Sequence, residues 1–278
     1  MFSKRVILWI TLAALVAALG LAACHKSGDD DEEVADTKSS SGPKYIPNGN
    51  EGSISGVIDF KGAPPAPRQI EMASDPICSQ KGSGAVTEDV VVKDGKVQNV
   101  FVYVKSGLPN NTFDPRGAEP TLDQNGCRYV PHMVGLYNKQ KIKITNSDAT
   151  THNVHPLPPK ENREWNESQP SGAPALVKEF TKKEVVIPVK CNIHSWMKAY
   201  IGVLDHPFFA VSAADGTFKI EGLPPGEYDV EAWHEKYGAK TMKVKVDAKG
   251  AATANFTYEA AAAYQPSSLK VVPALVLH

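Results

Sequence analysis

The chain has no surplus of basic residues, few cysteines and little sign of helix. Its 30 Lys and Arg are balanced by 31 Asp and Glu, so the concentrated basic face that a nucleic-acid partner requires is not expected. No Cys-x-x-Cys-His motif occurs among the four cysteines, which excludes covalently attached c-type haem. The long apolar run, residues 6–19, is shorter than the roughly 20 residues of a membrane-spanning helix. What remains is strand-like sequence punctuated by Gly, Pro, Asn and Asp.

Residues 1–23 have the pattern of a secretory signal peptide. Lys4 and Arg5 precede the apolar run, and small residues follow it in the sequence Leu-Ala-Ala-Cys that ends at Cys24. This motif resembles the lipobox of bacterial lipoproteins, which implies cleavage before Cys24 and attachment of lipid to that cysteine. His25 in the next position favours the outer membrane over the inner one. We therefore expect an exported lipoprotein on the periplasmic side; an uncleaved N-terminal anchor helix is the alternative.

Residues 24–51 are rich in Ser, Gly, Asp and Glu and poor in large apolar residues. Such a segment repels itself and cannot bury a core, so it predicts a disordered acidic tether between the lipid and the folded part. Residues 259–278 are predicted to form a C-terminal tail.

Strand patterns recur through the folded part, each bounded by turn-forming residues. They cover residues 53–60, 99–105, 128–137, 141–146, 184–190, 199–205, 217–222, 227–234 and 242–247. The predicted fold class is therefore all-β.

Near the C-terminus, turn residues at Asp215-Gly216 and Pro224-Pro225-Gly226 separate alternating segments, as in half-buried antiparallel strands. This stretch resembles the carboxypeptidase-regulatory-like (transthyretin-like) β-sandwich of exported bacterial proteins. Such sandwiches begin with strands like those at residues 53–60 and 99–105, far upstream. The resemblance implies a discontinuous sandwich formed by two stretches with a second β-domain inserted between them; two β-domains in succession are the alternative. The corresponding ranges are 52–110 and 207–258 for the sandwich and 111–206 for the insert.

Four possible metal ligands fall near strand ends within the insert. Cys191, His194 and Met197 follow one strand at three-residue steps, so a tight loop between antiparallel strands can turn all three towards one point. His152, just past the strand 141–146, can reach that point from a neighbouring strand. Two imidazoles and a thiolate in a trigonal plane, with a weak axial thioether, define a blue-copper electron-transfer centre. In an oxidising compartment, coordination also protects the thiolate.

A second histidine, His155, is the alternative to His152, because both belong to the sequence His-Asn-Val-His. In an extended strand, residues three apart point to opposite faces. Only one of the two is therefore expected to reach the metal, and we predict His152, with His155 at the rim of the site.

Residues 128–203 resemble a cupredoxin of the amicyanin/plastocyanin branch, through the segments Asn-Ser-Asp-Ala-Thr-Thr-His-Asn-Val-His and Cys-Asn-Ile-His-Ser-Trp-Met. The resemblance implies a Greek-key β-sandwich with one type 1 copper, whose ligands are the four residues named above. It also implies supporting roles for Asn146 at a strand end and for Asn153 beside the Cys191 loop. His194, on an exposed loop, would be the point where electrons enter and leave.

The other cysteines are explained by a disulfide. With Cys24 assigned to lipid, three remain, and an exported chain tends to pair its thiols. If Cys78 and Cys127 pair, Cys191 is the free thiol. The alternative is a second metal site that uses Cys127 and His132.

The sequence thus predicts a lipid-anchored type 1 copper protein that carries single electrons in the periplasm or at the outer membrane. Its expected partner is a cytochrome or oxidoreductase that binds transiently, and it is not expected to be an enzyme. The alternative function is a copper chaperone or storage lipoprotein that delivers copper to a partner oxidase.

Overall fold

The computed structural model describes residues 42–260, and these consist mainly of β-strands, which confirms the all-β prediction. The predicted signal peptide, Cys24 with its lipid, the tether up to residue 41 and the tail from residue 261 lie outside the described residues. Within the described part, no helix is long and apolar enough to cross a membrane.

Residues 42–260 contain nineteen strands and one short helix, α1 (Pro76–Lys81). The strands are β1 (Gly52–Lys61), β2 (Val92–Lys93), β3 (Lys96–Val97), β4 (Phe101–Ser106), β5 (Thr121–Gln124), β6 (Tyr129–Val130), β7 (Met133–Tyr137), β8 (Lys141–Asn146), β9 (His152–Pro156), β10 (Glu167–Gln169), β11 (Leu176–Glu179), β12 (Glu184–Lys190), β13 (Lys198–Leu204), β14 (Phe209–Val211), β15 (Thr217–Leu223), β16 (Gly226–His234), β17 (Gly238–Val246), β18 (Ala251–Thr253) and β19 (Phe256–Glu259).

A first sandwich is built from two separated stretches of the chain. One sheet has the order β15-β1-β3-β2, with β18 and β19 also paired to β1, and the other has the order β14-β4-β16-β17. Buried residues from both sheets, among them Ile54, Val104 and Val230, form one apolar core. Burying a side chain of this size stabilises the fold by about 1.5–3 kcal/mol. This shared core joins the early strands β1–β4 to the late strands β14–β19.

A second sandwich uses only the strands from β5 to β13. Its sheets have the orders β10-β9-β12-β13-β7 and β11-β8-β5-β6, and residues such as Leu122, Ile144 and Ile187 fill the space between them. In the larger sheet, β12 pairs antiparallel with both β9 and β13. The start of β9, the end of β12 and the start of β13 therefore meet at one end of this sandwich.

The two sandwiches pack against each other through a smaller apolar cluster. Phe101 of the first sandwich meets Met133 and Leu204 of the second. Gly135 and Gly202, paired directly between β7 and β13, leave room for the Phe101 ring, since a Cβ on Gly202 would lie 2.4 Å from it. A side chain at either glycine would force this contact apart.

The predicted tether is too long at its C-terminal end. The backbone N–H of Tyr45 donates to Thr112 at 2.8 Å, and its ring packs against Phe113. The Tyr45 hydroxyl also donates to Glu51 at 2.7 Å. Tyr45 thus helps to attach residues 44–51 to the first sandwich, together with the ion pair of Lys44 with Asp114, although the surrounding sequence is polar.

Residues 68–87, which we call the capping segment, lie beside the second sandwich. Backbone hydrogen bonds from Thr87 to Arg68 and from Ile70 to Ala85 close the two ends of the segment onto each other. It contains α1, whose N-cap Asp75 accepts from two backbone N–H groups, as capping side chains do. A small apolar cluster that includes Met72 and Trp196 packs beneath it.

Candidate metal centre

The second sandwich delivers four predicted ligands to one of its ends. His152 is the first residue of β9, Cys191 follows β12 directly, and His194 and Met197 lie in the loop before β13. All four are at most 2 % exposed. The ligand atoms of His152, Cys191 and His194 lie within 4.8 Å of one another, and Met197 belongs to the same buried apolar cluster as Cys191.

Hydrogen bonds fix the loop that carries Cys191. Its backbone N–H donates to Met197 at 3.3 Å, the Met197 N–H donates to the His194 carbonyl at 2.9 Å, and the His194 N–H points at Cys191 Sγ, 3.4 Å away. Asn153 Oδ1 accepts from the N–H of Asn192 at 2.7 Å and lies 3.2 Å from Cys191 Sγ. The loop therefore holds its three side chains together before any ligand binds.

The two histidines face each other through their Nδ1 atoms, which are 2.9 Å apart. Each Nε2 faces a carboxylate: His152 lies 3.0 Å from Asp148, and His194 lies 3.2 Å from Asp75. Both oxygens of Asp148 already accept backbone hydrogen bonds, so His152 is the donor of that pair. The backbone N–H of Cys78 lowers the pKa of Asp75 to about 2, so His194 is the donor of the other pair.

These contacts assign the proton of each neutral imidazole to Nε2. Two Nδ1 lone pairs then lie face to face at 2.9 Å, an arrangement that favours a cation, either a proton or a metal ion, beside them. Burial lowers the pKa of His152, which disfavours the proton. With Cys191 Sγ 3.9 Å from His194 Nδ1, the geometry suits a metal ion bound by two imidazoles and a thiolate.

The remaining predicted residues also have defined places. Asn146 accepts from the N–H of Asp148 at 3.0 Å and donates to the Thr150 carbonyl at 2.9 Å, which fixes the turn before His152. His155 does not join the ligand group; it contacts Asn192 and Glu164 instead.

Cys127 and His132 do not form the alternative second metal site. Cys78 and Cys127 form a disulfide, and Cys191 is the free cysteine of the described residues. His132 contacts Glu235 across the two sandwiches.

The loop that carries His194 is exposed at Asn192, Ile193 and Ser195, as expected, but the His194 side chain does not reach the surface. It is 2 % exposed, because the capping segment covers its Nε2 edge with Asp75 at 3.2 Å and Cys78 Sγ at 3.8 Å. The disulfide to Cys127 attaches this cover to the second sandwich.

Sequence reasoning missed the two carboxylates and Trp196. Asp148 carries a local signal, since it lies four residues before His152 on the turn fixed by Asn146. Asp75 before Pro76 could have been recognised as a helix N-cap, but its contact with His194 spans 119 residues. Trp196 stands between two predicted ligands in the sequence, and its ring lies 5.0 Å from that of His194.

Replacing Asp75 by asparagine is expected to weaken metal binding by about 10–100-fold with little loss of stability, because carboxylates behind ligating histidines orient them and raise their basicity. Asp75 Oδ1 accepts both capping bonds of α1, and Oδ2 faces His194. Asparagine can keep the first function and loses the second. Competition titration with a chelator measures the affinity.

Asp215→Asn is the matched control, because Asp215 accepts hydrogen bonds in an exposed turn of the first sandwich. An affinity for Asp75→Asn equal to that of this control would contradict the assigned role.

The fold and the site therefore define a class of protein: all-β chains with a buried cluster of two histidines, a cysteine and a methionine. Residues 201–259 match the carboxypeptidase regulatory-like domain; they comprise the end of β13 and the later stretch of the first sandwich.

Several solved copper proteins are similar in structure to part of the chain. They include a purple cupredoxin from Nitrosopumilus maritimus (14 % identity, 31 % of this chain and 100 % of that one, TM-score 0.27) and a Cu(I) form of an amicyanin variant (16 % identity, 37 % and 98 %, TM-score 0.27). A copper-containing nitrite reductase from Thermus scotoductus SA-01 matches 41 % of this chain over only 25 % of its own length (14 % identity, TM-score 0.29). At these TM-scores the likeness does not establish a function. No curated protein matches the chain.

Proposed function

We propose that this protein is a type 1 copper protein that carries single electrons. The observation that supports the proposal is the buried group of His152, Cys191 and His194, whose ligand atoms lie within 4.8 Å of one another, with Met197 on the same loop. Two histidines, one cysteine and a weak axial methionine are the donor set of blue-copper electron-transfer sites.

The donor types favour copper over other metals. Soft thiolate and thioether groups suit Cu(I), and imidazoles suit both copper oxidation states, whereas a structural zinc site takes four Cys, His or carboxylate ligands. The two nearby carboxylates each face a histidine Nε2, so in the present arrangement they support the imidazoles from behind. A bound copper ion supplies reversible one-electron chemistry.

The protein's own residues hold the donors in place. The backbone N–H of His194 donates to Cys191 Sγ, and Asn153 Oδ1 fixes the loop by accepting from the backbone N–H of Asn192. Asp148 and Asp75 orient the two imidazoles, and the capping segment excludes water. Little then has to move when the charge at the site changes, which favours fast electron exchange.

Burial also favours electron transport over copper delivery. A delivery protein needs a ligand that a partner can reach, but His194 and Cys191 are each 2 % exposed. The disulfide between Cys78 and Cys127 attaches the cover over His194, so handing over the metal would require the capping segment to move.

We also propose where the protein is located and what kind of partner it has. A lipid on Cys24 would anchor the protein on the periplasmic side, at the outer membrane rather than the inner one. Its partner would be a cytochrome or oxidoreductase that binds transiently, through a small interface of the kind used by redox encounters.

Optical and EPR spectra of the copper-loaded chain test the proposal, with residues 24–278 expressed with Cys24→Ser to avoid lipidation. We expect an intense thiolate-to-copper band in the visible region and a small copper hyperfine splitting. Met197→Leu should keep the band and shift the reduction potential, because the axial ligand tunes the potential. Met133→Leu is the matched control, since Met133 is equally buried but lies between the two sandwiches.

A copper-loaded protein without an intense visible band would refute the type 1 assignment. If Met197→Leu and Met133→Leu have the same reduction potential, Met197 is not a ligand and only the other three predicted ligands remain.

A further inference from the structure

Because the Nε2 edge of His194 is covered, the site lacks the solvent contact that an exposed His194 side chain would provide. Asp75 Oδ2 lies 3.2 Å and Cys78 Sγ 3.8 Å from His194 Nε2. Both belong to the capping segment, and Cys78 is itself completely buried. An external electron donor or acceptor therefore cannot approach this edge of the imidazole while the segment is in place.

Trp196 connects His194 to a different part of the surface. The two ring centroids are 5.0 Å apart, with an angle of 41° between the ring planes. The indole Nε1 donates to the Cys127 carbonyl at 3.0 Å, which fixes the orientation of the ring. Trp196 also packs against the core that contains Cys191 and Met197.

The indole is only half-buried, and it lines a cleft of about 450 Å³. The cleft lies where the capping segment, the second sandwich and the β16–β17 turn of the first sandwich meet. Tyr200 forms another aromatic part of its wall, and Glu235 and Lys236 come from the turn. Trp196 thus touches a predicted copper ligand on one side and an open cleft on the other.

The charges around this cleft balance, since four Lys or Arg and four Asp or Glu side chains line it. Ion pairs neutralise several of them, including Arg128 with Glu88 at 3.2 Å and Lys236 with Asp89 at 3.3 Å. A balanced cleft does not steer anions or cations selectively, because steering depends on a local excess of one sign.

We propose that Trp196, rather than His194, is the residue through which electrons enter and leave the metal site, by way of the cleft that it lines. This rests on the proposed electron-transfer function. One electron would leave an external one-electron donor, which is oxidised, and would reduce the bound Cu(II) to Cu(I), with no bond formed or broken and no proton moved. In the reverse direction an external acceptor is reduced at the same place.

The test measures electron exchange of the copper-loaded full chain, carrying Cys24→Ser, with an anionic iron hexacyanide and a cationic cobalt phenanthroline complex. Trp196→Leu is expected to slow both reactions by about tenfold or more, equivalent to about 1.4 kcal/mol of activation free energy. The visible band should stay, and the rates are compared at equal driving force so that a shift in reduction potential does not contribute. Trp165→Leu is the matched control, because Trp165 is another half-buried tryptophan that packs on the same core.

Two further measurements separate a route for electrons from a structural role. In the metal-free protein, acrylamide should quench a component of the tryptophan emission that Trp196→Leu removes and Trp165→Leu leaves. Trp196→Phe keeps an aromatic ring beside His194 and should exchange electrons faster than Trp196→Leu. With the wild-type protein, the anionic and cationic reagents should show similarly weak dependence of rate on ionic strength.

Each outcome decides the matter. If the wild-type protein lacks the intense visible band, the electron-transfer function fails and this proposal fails with it. If Trp196→Leu keeps the band and exchanges electrons at the wild-type rate, the function stands and the route through Trp196 is overturned. If Trp196→Leu and Trp196→Phe both lose the band, the indole is structural and the route is again overturned.

Discussion

Cys191→Ser is expected to abolish the intense visible absorption and to weaken copper binding by more than the roughly 100-fold that losing a supporting residue can cost. Serine is nearly the same size as cysteine, so the buried loop should keep its fold. Its hydroxyl, however, does not supply the soft, negatively charged sulfur that suits copper. Optical spectroscopy and competition titration with a Cu(I) chelator measure the two effects.

Two histidine variants provide matched controls for this result. His152→Gln should also lose the band, whereas His155→Gln should keep both the band and the affinity, because His155 contacts Asn192 and Glu164 and not the other ligands. A Cys191→Ser protein with the wild-type band and affinity would mean that the metal, if bound, lies elsewhere. Loss of the band in His155→Gln alone would exchange the roles of the two histidines.

Features fixed by local sequence could be predicted. The strands at residues 141–146 and 184–190 coincide with β8 and β12, because apolar residues and bounding turn residues mark them within a few positions. The spacing of Cys191, His194 and Met197 is equally local, since one loop between paired strands carries all three. Short strands such as β2 and β3, with two residues each, have too little pattern to be recognised.

Features that depend on distant packing could not be predicted. Nothing near Asp75 indicates that it would lie against His194, because the contact requires the capping segment to fold back across the second sandwich. The same holds for Glu235, which contacts His132 from the other sandwich. The burial of His194 follows from such contacts. The family resemblance covered only residues 128–203, so it gave no sign of the capping segment and implied an exposed His194.

Removing the disulfide by the double change Cys78→Ala and Cys127→Ala is expected to lower the free energy of unfolding by about 4 kcal/mol, because the cross-link closes a loop of 49 residues and constrains the unfolded chain. The capping segment would lose its covalent attachment to the second sandwich. We expect the copper ion to dissociate faster as well, since the cover over His194 can then open. Denaturant titration measures the stability, and transfer to an excess of chelator measures the release.

A thiol reductant provides the control for this prediction, because it acts on the same cross-link without changing the sequence. In the metal-free protein, it should lower the wild-type stability towards that of the double variant and leave the variant unchanged. Met72→Ala separates packing from cross-linking: it opens a cavity in the same small cluster, at a cost of about 2–5 kcal/mol, but keeps the disulfide. If Met72→Ala releases copper as fast as the double variant, loosened packing explains the release. If only the double variant does so, the covalent attachment of the capping segment keeps the site closed.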